Sequence, residues 1–197
     1  MPAPRPLVLA STSRYRRELL GRLGIPFECA DPRVEEFALP EESPLQTAQR
    51  LAEAKARAVA KRFPGAVVVG SDQVASCGGE RLGKPGTHAN AVRQLNALSG
   101  KIVQFDTAVS VIDGPNDGHA SRVVPCKVTF RPLTAAQIEN YLRAEQPYDC
   151  TASAKAEGLG IALIARIETD DPTSLIGLPL IALTEMLGGV GISVLGA

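Results

Sequence analysis

The chain is predicted to fold as an α/β protein, a mixed β-sheet flanked by helices. Short apolar runs alternate with amphipathic stretches that open on helix-capping residues. Ala66 to Gly70 is an unbroken apolar run, the pattern of a central strand buried on both faces. A long hairpin, turning through Asp113-Gly114-Pro115-Asn116-Asp117-Gly118, interrupts the alternation and makes the sheet mixed.

Each element has its own signal. Leu7 to Ala10 reads as the first strand. Ser11-Thr12-Ser13 then offers capping hydroxyls to a helix over Arg14 to Leu23, which Gly24 stops. Ser43-Pro44-Leu45-Gln46 combines a cap, a proline suited to the first helical position and a capping-box glutamine, so a second helix runs to Phe63 before Pro64-Gly65. The strand Ala66 to Gly70 carries Ser71-Asp72-Gln73 at its carboxyl end, where open sheets bind ligands. Thr87 to Leu98 is a third helix, and Ile102 to Ile112 and Arg122 to Phe130 are the arms of the hairpin. Thr134 and Gln137 form a second capping box for a helix to Glu145. A long loop follows, then a strand at Ile161 to Ile167 and a last helix over Leu178 to Leu187.

The 197 residues suit a single domain, 1–197, and no linker or repeat divides them. Twenty-one basic and 21 acidic residues give no net charge, which excludes a global field for a nucleic-acid polymer, so any anion binding must be local. With 45% hydrophobic and 21% charged residues, disorder, collagen-like repeats and coiled-coil rods are excluded as well. The first apolar run, Leu7 to Ala10, is too short for a signal-peptide core or a membrane span, so a cytoplasmic location and no membrane are expected. Cys29, Cys77, Cys126 and Cys150 form no Cys-x-x-Cys pair and are read as reduced thiols. With only His88 and His119 available, proton transfer and metal binding fall to carboxylates, which favours magnesium-type chemistry over zinc.

Several residue patterns bear on that chemistry. Gly78 to Lys84 satisfies G-x-x-x-x-G-K, but Pro85 stands where a phosphate loop needs a Ser or Thr and has no N–H to offer. A phosphate loop is therefore rejected, although Lys84 can still contact a phosphate. Ser11, Arg16 and Arg17 lie at a helix N-terminus, where two adjacent cations oppose the dipole unless an anion compensates them. Lys55 falls in the apolar series Leu45, Ala48, Ala52 and Val59, so it points inward. Asp72 on a buried strand must meet a metal, a cation or a substrate water. Glu35 and Glu36 follow Pro32 in an extended stretch, so only one of them faces a given cleft. Lys155 and Glu157 share a face if their loop is extended.

Taken in order, Leu-Ala-Ser-Thr-Ser-Arg-Tyr-Arg-Arg at 9–17, Val-Glu-Glu at 34–36, Glu-Ala-Lys at 53–55, Gly-Ser-Asp-Gln at 70–73, Gly-Lys-Pro at 83–85 and Gly-Leu-Pro-Leu at 177–180 resemble the Maf family of nucleoside triphosphate pyrophosphatases. The resemblance covers essentially the whole chain. It implies a fold like that of the inosine triphosphatases, two lobes around a nucleotide-binding cleft. It also implies divalent-cation-dependent attack of water between the α and β phosphates of a small nucleoside triphosphate, with Mg²⁺ or Mn²⁺ as the cation. By position, Asp72 is the implied proton acceptor and a metal-site residue, and Glu36 the metal-site carboxylate. Ser11, Arg16, Arg17, Lys55, Lys84 and Lys155 form the implied substrate-binding group. Glu35 stands where an Asp is common, which leaves open which of the two acids coordinates. The pair Asp72-Gln73 and the stretch Ser-Ala-Lys-Ala-Glu-Gly-Leu-Gly-Ile at 153–161 resemble the branch acting on 7-methyl-GTP, with Tyr15, Gln73 and Glu157 at its specificity positions. A cationic methylated guanine would stack on Tyr15 and donate to Glu157. Hydrolysis of dTTP and UTP, or a nucleotide-sensing interaction protein of cell division, are the alternatives. A homodimer is implied by the resemblance alone.

Overall fold

The computed structural model describes residues 5–196; the first four residues of the proline-rich N-terminus and Ala197 lie outside it. Among the described residues seven strands form one mixed sheet: β1 Leu7–Ala10, β2 Glu28–Cys29, β3 Val67–Cys77, β4 Glu80–Leu82, β5 Ile102–Asp113, β6 Gly118–Phe130 and β7 Ile164–Glu168. Their order is β2-β1-β3-β5-β6-β7, with β4 paired to β3. β1 is parallel to both β2 and β3, whereas the β3–β4 and β6–β7 pairs are antiparallel. Among the described residues the α-helices are α1 Arg14–Gly21, α2 Pro44–Ala60, α3 His88–Leu98, α4 Ala135–Glu145 and α5 Leu180–Gly189.

The chain divides into two compact units. The first takes the chain up to Gln73, Thr107–Val124 and the chain from Asp171; the second is Val74–Asp106 with Pro125–Asp170. In the first unit both faces of the sheet are covered. Leu7, Leu9, Val67, Val69, Val109 and Val111 pack on Leu19 and Leu20 of α1 and on Leu180, Leu183 and Leu187 of α5. Val8, Ala10, Val68 and Ile112 pack on Ala56 and Val59 of α2. Strands covered on both sides have no polar face, which is why these runs do not alternate in the sequence. The second unit holds the β3–β4 hairpin, α3 and α4. Leu95 and Leu98 of α3, and Ile138, Tyr141 and Leu142 of α4, are buried there.

The local capping signals are realised as read. Ser43 accepts from Gln46 N while the Gln46 side chain accepts from Ser43 N, and Thr134 and Gln137 repeat the reciprocal arrangement at α4. Gly78 and Gly79 form the β3–β4 hairpin turn, both at positive φ, so the look-alike of a phosphate loop is a strand–turn–strand.

Four expectations are corrected. β3 does not stop near Gly70 but runs to Cys77, so Asp72 lies within a strand. Leu45, placed in the apolar series of α2, is exposed, because it sits in the first turn, ahead of the helix's contact with the sheet. The last strand begins at Ile164, since Leu159–Leu163 tighten into a 3₁₀ turn. The stretch after Pro32 is not extended throughout, because Arg33 has a φ of 51°.

Candidate active site

The site grows from the register of β1 on β3. Ala10, the last residue of β1, pairs with Gly70. β1 then gives way to the Ser11–Ser13 turn while β3 continues, so Asp72 sits just past the carboxyl end of its parallel neighbour. This is the position at which open sheets leave a crevice. Alternation along β3 turns Asp72, with Val68 and Gly70, toward α2, and turns Ser71 and Gln73 toward the opposite face.

α2 lies unusually close to the strand at this point. A Cβ on Gly70 would stand 2.2 Å from the Ala52 carbonyl oxygen and 2.7 Å from the Ala56 nitrogen, so only glycine admits the helix backbone there. One turn of the helix is thereby pressed against β3, and Lys55, buried to 2% exposure, reaches Asp72. Its Nζ donates to Asp72 Oδ1 at 2.6 Å and pairs with Glu36 Oε1 at 2.7 Å. Both acids left open by the sequence are exposed, and Glu36 is the one that pairs with Lys55. Burial pushes the Asp72 carboxyl above its ordinary range, against the opposing pull of Lys55 and Arg16. Burial likewise lowers the Arg16 guanidinium, while Asp72 and Glu36 hold it up.

The N-terminus of α1 supplies the anion-binding end. Ser13 caps the helix by accepting from Arg16 N, and buried Ser11 accepts from Ser13 N at 3.1 Å. No acid lies in the first turn of α1, so nothing in that turn opposes a bound anion. Arg16 is aimed by a donation from its Nε to the Gly177 carbonyl at 2.8 Å, and Ser71 Oγ donates to the same carbonyl at 2.9 Å. Arg17 is exposed. Arg14 stacks over Tyr15, 4.7 Å from the ring centroid, so the ring already receives a cation on a face.

Gln73 is spent differently from a free specificity side chain. Its Nε2 donates to Thr107 Oγ1, the Ser174 carbonyl and the Leu175 carbonyl at 2.9, 2.9 and 3.1 Å. Two N–H groups shared among three acceptors leave the carboxamide oxygen as the group it can present to a nucleobase. The 171–177 loop that receives these bonds was missed by sequence reasoning. Asp171 anchors it: Oδ1 accepts from Thr173 N at 3.1 Å, and Oδ2 accepts from Ile181 N at 2.7 Å and Ala182 N at 3.3 Å, capping α5. The Asp171-Pro172 pair, a cap residue followed by proline, was the available signal.

Lys84, Lys155 and Glu157 belong to the second unit. Lys84 is exposed in a loop held on α3, where Gln94 and Asn90 donate to the carbonyls of Gly83 and Pro85. Lys155 Nζ donates to Glu145 Oε1 at 2.7 Å. The condition under which Lys155 and Glu157 would share a face is not met: the segment is a turn, with Gly158 N donating to the Lys155 carbonyl, and Glu157 is exposed.

The donor set fits a hard divalent cation. Two carboxylates already converge on one ammonium, and oxygen donors of this kind suit Mg²⁺ or Mn²⁺. Among the described residues no group of three His, Cys, Asp or Glu side chains could hold a metal by itself. No described helix is long and apolar enough to cross a membrane.

A family model described as Maf-like protein matches residues 6–190. The 7-methyl-GTP pyrophosphatase of Polaromonas sp. is 58% identical over 192 residues, covering 98% of this chain and 88% of that one. A protein of the same name from Albidiferax ferrireducens is 58% identical over 196 residues, covering 100% and 98%. Another, from Nitrosospira multiformis, is 55% identical over 188 residues, covering 95% of each.

Proposed function

The chain belongs to the Maf family, and on that premise we propose that it is a nucleoside triphosphate pyrophosphatase converting 7-methyl-GTP to 7-methyl-GMP and pyrophosphate. The observation that carries the reading is the convergence of Asp72 and Glu36 on buried Lys55, in the unit that holds the N-terminus of α1. Ser11, Arg16, Arg17 and the positive end of the α1 dipole bind the phosphates, with Arg16 held in place by the Gly177 carbonyl. Lys55 adds a third cation, and the family resemblance gives Lys84 and Lys155 the same role. Asp72, made more basic by burial, orients a water and takes its proton as the oxygen attacks phosphorus. Glu36 and Asp72 would hold Mg²⁺ or Mn²⁺, which when bound neutralises charge on the triphosphate. Pyrophosphate leaves as the α–β bridging bond breaks.

For the base, Tyr15 offers an aromatic face to the cationic methylated guanine, Gln73 an acceptor oxygen, and Glu157 a carboxylate for N–H donors. The names of the relatives support this substrate over dTTP or UTP. A cytoplasmic, dimeric enzyme acting on a free nucleotide completes the reading. The test is a panel of 7-methyl-GTP, GTP, dTTP, UTP and CTP with Mg²⁺ or Mn²⁺, with products separated. Pyrophosphate chiefly from 7-methyl-GTP is expected; preference for dTTP or UTP would overturn the assignment of Tyr15, Gln73 and Glu157.

A further inference from the structure

We propose that Arg50 is a positioning residue for Glu36, and through it for the divalent cation; this rests on the reading of Glu36 as a metal carboxylate. Residues 30–42 form neither helix nor strand, so their backbone needs partners other than a ladder. Glu41 in this stretch has a φ of 62°, a conformation that its surroundings must enforce. The enforcement comes from α2. Arg50 Nη2 donates at 2.8 Å to the carbonyl of Phe37, the residue that directly follows Glu36. The same guanidinium grips Glu42 through Nε and Nη2, the latter at 2.9 Å to Oε2. Glu42 Oε2 in turn accepts from Leu39 N at 3.0 Å and Thr47 Oγ1 at 2.9 Å. Arg50 thus ties both ends of the 37–42 stretch to the helix that carries Lys55.

The holds of Lys55 and of Arg50 on the Glu36 region differ in kind. The Glu36 carboxylate pairs with buried Lys55, but the Glu36 side chain itself is 57% exposed, so water competes for it. A cation that takes the carboxylate also competes directly with Lys55 for it. The grip of Arg50 on the backbone survives that exchange, so Arg50 keeps the carboxylate in place while it coordinates. Groups that orient a metal ligand typically change metal affinity by 10–100-fold when removed, on the order expected here.

The test measures Mn²⁺ affinity by electron paramagnetic resonance of the free ion, with the α,β-methylene analogue of GTP present, for wild type, Arg50→Met, Arg50→Lys, Glu42→Gln and Glu36→Gln. Arg50→Met should weaken Mn²⁺ binding by about 10-fold, with Arg50→Lys intermediate, and kcat at saturating Mn²⁺ should fall less than the affinity does. Arg50→Met with lowered thermal stability but wild-type Mn²⁺ affinity would overturn the proposal. Should that variant fail to fold, Glu42→Gln carries the same test, and wild-type affinity there overturns it too. Wild-type protein that binds no Mn²⁺, or Glu36→Gln that binds it unchanged, would instead overturn the metal-carboxylate reading on which the proposal stands.

Discussion

Gly70→Ala tests the close approach that builds the site. The added Cβ would lie 2.2 Å from the Ala52 carbonyl oxygen, 2.7 Å from the Ala56 nitrogen and 2.9 Å from the Ala56 Cβ. Two of these are helix backbone atoms, so no side-chain rotation relieves the clash. Restoring ordinary contact near 3.4 Å requires α2 to withdraw by about 1.2 Å at Ala52. Carried to Lys55, the same displacement would stretch its 2.6 Å bond to Asp72 beyond hydrogen-bonding distance. Overpacking of a tight core costs about 1–3 kcal/mol, and a backbone clash this close belongs at the top of that range. For a chain of this length about 3 kcal/mol lowers Tm by about 6–12 °C. A misplacement of about 1 Å at the chemistry lowers kcat/KM by about 100-fold. Thermal melts followed by pyrophosphate-release kinetics measure both. A Gly70→Ala protein with wild-type Tm and wild-type kcat/KM would refute the argument that this glycine seats Lys55 against Asp72.

Other consequences follow from the same geometry. Lys55→Met removes the strongest influence holding the Asp72 carboxyl down, so the acid limb of the kcat/KM–pH profile should move to higher pH; a limb that stays in place would show that Asp72 does not control it. In the same variant kcat/KM at neutral pH should fall by about 100-fold, since a cation beside the phosphates is lost. Asp171→Ala removes the cap of α5 and should cost about 2 kcal/mol, seen as a Tm about 4–8 °C lower in a thermal melt; an unchanged Tm would refute that role. Burial raises the Cys126 thiol from about 9 to about 11, so it should resist iodoacetamide in the folded protein while exposed Cys29 reacts. Because its folded value lies above its unfolded one, the stability it contributes is complete below about pH 9 and is lost as pH rises toward about 11. Urea titrations across that window measure the loss.

What was legible in the sequence is what local chemistry decides. The two capping boxes, Ser43 with Gln46 and Thr134 with Gln137, need only neighbours three residues apart, and both form. Lys55 was placed inward by helical spacing alone, and it is buried. The extension of β3 was not legible, because Ser71, Asp72 and Gln73 read as polar interruption. Each is tolerated inside a strand only because a distant group satisfies it: Ala108 and Gly177 for Ser71, Lys55 for Asp72, Ser174 and Leu175 for Gln73. The same holds for Arg50, whose role depends on a turn eight to thirteen residues upstream and not on any period of α2. Gly70 was read as the end of an apolar run, since a sequence gives no sign that a helix backbone will lie 2.2 Å from an absent Cβ.

In the proposed mechanism Asp72 activates water for attack between the α and β phosphates. Wild-type protein and Asp72→Asn should be incubated with 7-methyl-GTP and Mg²⁺, with products separated and the fold of each protein checked by circular dichroism. The wild type should yield 7-methyl-GMP and pyrophosphate, and a folded Asp72→Asn should turn over at least about 1,000-fold more slowly. Inorganic phosphate as the wild-type product, or Asp72→Asn turning over at a comparable rate, would contradict this mechanism.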